Sequence, residues 1–104
     1  MANDITQTEW EGLIAKDADA VILDVRTVDE VADGYIPNLI NIDIRGGHDF
    51  IDEIEKLDKA KNYYVYCRSG ARSSQACELM SKIGFGTTYN LSGGIMAWDG
   101  EIIE

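Results

Sequence analysis

A chain of 104 residues with 45% hydrophobic content can bury one core and lacks the length for a second, so residues 1–104 are read as one compact soluble domain. Nineteen acidic against nine basic side chains leave a formal charge of −10, a field that repels nucleic-acid phosphates and anionic membranes, so neither is expected as a partner. No stretch approaches the roughly 20 apolar residues that span a bilayer, and Met1-Ala2-Asn3-Asp4 begins no basic-then-apolar leader, which makes a cytoplasmic monomer the expectation.

Along the chain, Trp10, Leu13 and Ile14 recur three and four apart behind a Thr8 cap and predict an amphipathic helix. The apolar run Ala20-Val21-Ile22-Leu23 predicts a strand, Val28 to Asp33 a short helix, and Ile40-Asn41-Ile42 a second strand. Phe50, Ile51, Ile54 and Leu57 after Asp49 form another helical stripe, and Tyr63-Tyr64-Val65-Tyr66 reads as a buried strand. A helix is predicted from about Arg72 to Ile83, because Ala76, Cys77, Met80 and Ile83 share one face and Gly84 supplies a left-handed stop. Thr88-Tyr89-Asn90-Leu91 adds a last strand. Continuous apolar runs interleaved with helices predict a three-layer α/β domain, with a mostly parallel central sheet and helices on both faces.

In such sheets ligands gather beyond the carboxyl ends of the strands, and Cys67 follows directly on the run ending at Tyr66. There the loop amides and the next helix's N-terminus would turn positive charge toward its sulfur. Arg68 and Arg72 add two cations, and no acid lies between Tyr66 and Gln75, so a lowered thiol pKa and a small anionic ligand are expected. Gly70 would let successive N–H groups turn inward as a cradle. Cys77 falls on the apolar face with Met80 and Ile83 and is read as core. With two cysteines outside any zinc or disulfide spacing, and His48 alone in a glycine-containing loop and read as exposed, no metal or disulfide is expected.

Three patterns in order then carry a resemblance to the rhodanese family from about Ile5 to Trp98. Leu23-Asp24-Val25-Arg26, Glu30 and Gly34-Tyr35-Ile36-Pro37 resemble the family's aspartate-valine-arginine strand end and its following turn, with Tyr35 in place of a histidine and Asn38-Leu39 in place of glycine-alanine. Pro37 fixes the chain before the next strand, and Asp24, Arg26 and Glu30 are read as structural. Cys67-Arg68-Ser69-Gly70-Ala71-Arg72-Ser73 is similar to the catalytic loop, and Leu91-Ser92-Gly93-Gly94-Ile95-Met96-Ala97-Trp98 to the double-glycine turn, in which Met96 and Trp98 are read as core.

The resemblance implies a sulfurtransferase in which Cys67 is the nucleophile. The backbones of Arg68, Ser69, Gly70, Ala71 and Arg72 and the two guanidinium groups would bind a small anionic donor. Thiosulfate is the generic donor implied, with a thiol, a protein sulfur acceptor or cyanide receiving the sulfur. Two alternatives stay open: a partner-dependent carrier or interaction module on the same fold, and a cysteine phosphatase or arsenate reductase. The latter fits less well, since Cys67 and Arg72 enclose four residues where those signatures have five.

Overall fold

Five short strands lie side by side and run in one direction, in the order β1 (Asn3–Ile5), β5 (Thr87–Leu91), β4 (Asn62–Tyr66), β2 (Val21–Asp24), β3 (Leu39–Asn41). The computed structural model describes residues 3–46 and 48–104. In chain order these are β1 (Asn3–Ile5), α1 (Gln7–Ala15), β2 (Val21–Asp24), α2 (Val28–Ala32), β3 (Leu39–Asn41), α3 (His48–Glu55), β4 (Asn62–Tyr66), α4 (Ala71–Lys82) and β5 (Thr87–Leu91), followed by a 3-10 turn at Ile95–Ala97. Among the described residues no helix is long and apolar enough to cross a membrane. The leader reading of Met1 and Ala2 lies outside the described residues, as does the expected exposure of the His48 side chain, whose backbone opens α3.

Alternation along the central strand assigns the layers. Tyr63, Val65 and Cys67 join Phe50 and Ile54 of α3 and Ala76, Cys77 and Met80 of α4 in one core, while Tyr64 and Tyr66 join Trp10 of α1, Ile36 and Leu91 in the other. Because successive strand side chains point to opposite faces, a strand buried on both sides has to be apolar or aromatic throughout. On the second face the Trp10 ring meets Tyr64, Tyr66 and Trp98 edge-on. This is the three-layer α/β arrangement with helices on both faces of a parallel sheet.

Several local expectations shift. The α1 cap is Thr6, not Thr8: its side chain accepts from Glu9 N–H while the Glu9 carboxylate accepts from Thr6 N–H, a reciprocal box that starts the helix at Gln7 and leaves Thr8 inside its first turn. A Thr27–Glu30 box does the same for α2 and stabilises a helix of only five residues. Strand β1 was absent from the sequence reading, because Asn3-Asp4-Ile5 has no apolar run; it forms by pairing in register with β5. Asn38, where the resemblance anticipates glycine, holds φ +67, and asparagine is among the residues that visit this left-handed region at least cost. Tyr35, in place of the histidine, exchanges two backbone hydrogen bonds with Ile103 and so pins the chain end against the α2–β3 turn.

Candidate active site

The strand-to-helix turn after β4 places Cys67 at the carboxyl end of the central strand, with its residue only 1% exposed. Gly70, at φ +105, caps α4 without a side chain, a backbone that a Cβ would strain. This conformation turns Gly70 N–H toward the sulfur at 3.1 Å. Ser73, on the first turn of α4 and fully buried, brings its hydroxyl to 3.4 Å from Cys67 Sγ. Burial alone would push the thiol up; hydrogen bonds from the Ser73 hydroxyl and from the backbone N–H groups of Ser73, Gly70 and Ser69 outweigh it, so the thiol lies below its ordinary value. Of the two sources read from the sequence, loop donors and arginines, the loop's hydrogen bonds are the ones among the largest influences on Cys67. Removing the hydroxyl in Ser73→Ala is therefore expected to raise the Cys67 pKa and slow its alkylation by iodoacetamide several-fold at neutral pH, measured as rate against pH.

The two arginines are used differently. Arg72 leans away from solvent and grips Glu30 with both terminal nitrogens, Nη1 to Oε1 at 2.7 Å and Nη2 to Oε2 at 2.8 Å. That bidentate grip, together with the Thr27 contacts, holds the Glu30 carboxyl at about 2. Because the folded value is depressed, the stabilisation is complete above the ordinary carboxylate range and is lost as pH falls through 4.5 toward about 2. Titration of the Glu30 carboxyl by NMR should show this low value in the wild type and a return toward the ordinary range in Arg72→Ala. The Arg68 side chain, by contrast, makes no ion pair among the described residues and lines a cavity of about 270 Å³ with Arg26, Glu30, Asp33, Ile95 and Met96.

Asp24 and Arg26 are structural, as read from the sequence. Arg26 spans both Asp24 oxygens and donates to the carbonyls of Glu30 and Gly34, all within a nearly buried patch beneath Tyr66. Tyr66, standing immediately before Cys67, accepts Ile36 N–H at 3.2 Å, and burial keeps its phenol far above the ordinary range, so it remains neutral. Cys77 sits in the core, its thiol pushed up to about 11 by burial, with no access to the loop's donors.

One reading is corrected outright: Met96 is not core but 66% exposed at the rim of the cavity. Its backbone explains the position, since Ile95 N–H donates to Cys67 C=O at 2.9 Å and Met96 N–H to Arg68 C=O at 3.0 Å, leaving the side chain outside. Trp98 is half-buried and packs on Trp10. The same double contact makes Gly94 part of the site. Here φ is +61, and a Cβ would stand 2.4 Å from the Arg68 carbonyl oxygen.

The sequence reading assigned no site role to Ser73, Asn90 or Gly94. Asn90 reaches across from β5, hydrogen-bonding the Ser73 hydroxyl and donating to Gly70 C=O at 3.1 Å and to Asp4 Oδ1 at 2.8 Å. One signal was present: a polar side chain inside the strand run Thr88-Tyr89-Asn90-Leu91 is nearly always buried against a partner. Among the described residues no cluster of metal-ligating side chains exists. The arrangement presents a buried thiol whose anion would meet inward-facing N–H groups.

Comparison with known proteins gives the family. The family model described as a rhodanese-like domain matches residues 6–101. YtwF of Bacillus subtilis (strain 168), named as a candidate sulfurtransferase, is 44% identical over 85% of this chain and 82% of its own length. A protein of Allochromatium vinosum named sulfurtransferase is 36% identical over 94% of this chain and 89% of its own. Among solved structures, a rhodanese-like domain protein from Staphylococcus aureus superposes with a TM-score of 0.82 at 32% identity, covering 95% of this chain and 93% of that one.

Proposed function

This chain belongs to the rhodanese-like domain family, and on that footing we propose that it is a sulfurtransferase that carries sulfane sulfur as a persulfide on Cys67. The observation that supports this most directly is the Gly70 N–H directed at a buried sulfur at 3.1 Å, within a set of donors that keeps the thiol below its ordinary value. Amides fixed by the fold need no reorganisation to stabilise charge on a sulfur anion.

The reaction is a double displacement. With thiosulfate, the generic donor, the Cys67 thiolate attacks the outer sulfur, the donor's S–S bond breaks, and sulfite leaves with the bonding electron pair. The new persulfide sulfur sits among the loop N–H groups until an acceptor thiol, on a small molecule or a protein, or cyanide attacks it. Cys67 is then released as thiolate. The backbones of Arg68, Ser69, Gly70, Ala71 and Arg72 hold the persulfide, and Arg68 faces the incoming donor. A cytoplasmic monomer, acting without metal, organic cofactor, nucleic acid or membrane, completes the proposal; reducing surroundings would keep both thiols free.

The test is a single turnover. Protein loaded with thiosulfate and freed of excess donor should release about one thiocyanate per chain on addition of cyanide, as a covalent intermediate requires. Thiocyanate formed only while free thiosulfate is present would overturn the persulfide route. No turnover with any sulfane donor would favour the interaction-module reading.

A further inference from the structure

Charge pairing at the cavity beside Cys67 bears on which donor the site takes. Two arginines line it, Arg26 and Arg68, and a third, Arg72, is held against its wall by the lining residue Glu30; two of the three are already matched, Arg26 by Asp24, with the closest contact at 2.7 Å, and Arg72 by Glu30 through two contacts. Of the side chains lining the cavity, Arg68 and Asp33 remain, one of each sign, while Ile95 and the exposed Met96 supply an apolar wall. The mouth is thus near neutral in a chain of charge −10, a poor receiver for a dianion.

We propose that Glu30 is a specificity-determining residue of the sulfur-transfer site: by holding the Arg72 guanidinium it withdraws a cation from the donor path and disfavours dianionic donors relative to singly charged ones bearing an apolar group. The inference rests on the persulfide reading above. Glu30 suits this role because it is itself fixed. Its Oε1 accepts from the Thr27 backbone at 3.1 Å and hydroxyl at 3.2 Å as well as from Arg72, so the carboxylate cannot swing away to release its partner. Arg72 stands in the chain between Gly70 and Ser73, which both hydrogen-bond Cys67 Sγ, so the grip acts beside the reacting sulfur.

The probe pair is thiosulfate and the methanethiosulfonate anion, which differ by replacing one charged oxygen with a methyl group. Both react alike. The thiolate takes the outer sulfur, the S–S bond breaks, and the leaving group departs with the electron pair as sulfite from the first or methanesulfinate from the second.

Glu30→Gln is the informative variant, since glutamine retains the helix-capping geometry while dropping the charge. A Coulomb interaction doubles in energy from a monoanion to a dianion, so the fold-change squares. Glu30→Gln is expected to raise kcat/KM for methanethiosulfonate about threefold and for thiosulfate about tenfold, and Arg72→Ala to shift both in the opposite sense. An unchanged ratio between the two donors in Glu30→Gln, with sulfur still loaded, would overturn the role of Glu30 alone. If the wild type gains no sulfur mass from either donor, the persulfide reading beneath it falls as well.

Discussion

Cys67→Ser should gain no mass on exposure to thiosulfate, whereas the reduced wild type and Cys77→Ser should each gain a single sulfur. This is the largest effect expected of any substitution in the chain. A serine hydroxyl is too weak an acid to supply the anion near neutral pH, and an oxygen at this position cannot form a persulfide, so the loss should exceed about 1,000-fold and be limited by detection. The fold should survive, because Sγ and Oγ accept the same two hydrogen bonds, from Gly70 N–H and the Ser73 hydroxyl. A change in stability of within about 1 kcal/mol is expected from so small an exchange. Cys77 serves as the internal control: it is fully buried on α4 with its thiol pushed up to about 11. Intact mass with all three proteins side by side makes the measurement, and sulfur retained by Cys67→Ser would remove the central claim.

Gly94→Ala should be the most damaging change that leaves every chemical group of the site in place. Its Cβ would meet Arg68 O at 2.4 Å, Arg68 C at 2.5 Å and Cys67 O at 2.6 Å. These are backbone atoms, so no side-chain rotation relieves the overlap. The native φ of +61 adds a second penalty for any residue with a Cβ. To accommodate the methyl group, the Gly93-Gly94 turn must move away and break the Ile95 and Met96 N–H bonds to the Cys67 and Arg68 carbonyls. We expect a loss of about 2–4 kcal/mol in denaturant unfolding. Sulfur uptake by the fraction that remains folded should slow by at least about tenfold, since the loop amides lose their aim. Ser92→Ala, at an exposed position two residues away, should be neutral in both measurements. Wild-type stability and uptake in Gly94→Ala would show that the turn does not support the cradle.

Particular residues show where sequence reasoning succeeded. The continuous apolar and aromatic run into Tyr66 could only be a strand covered on both faces, and Cys67 at its end followed from that alone. Cys77 read as core because it shares an apolar helical face with Met80 and Ile83, and both Cys77 and Met80 are fully buried. The Thr6 and Thr27 boxes were equally present as threonine followed three residues later by glutamate. They were passed over because a cap is a local choice among several candidate residues, which the backbone direction settles.

Other features depended on chain segments far apart. Composition and periodicity reported an acidic chain with two cations in one loop, and from that a positive site was a fair inference. Glu30 stands 42 residues before Arg72, and no local pattern says that its carboxylate closes on that guanidinium. Asp4 and Asn90, 86 residues apart, meet because β1 and β5 pair, and Met96 is turned out to solvent because its backbone is committed to Arg68. The sequence by itself determined the parallel α/β fold, the place of Cys67 at the end of a buried strand and the burial of the other thiol, since each follows from short-range periodicity and from the chemistry of single side chains. Only the tertiary structure decided which charges cancel, which amide faces the sulfur and which side chains remain free at the mouth, because pairing energies depend on distances that chain folding alone sets.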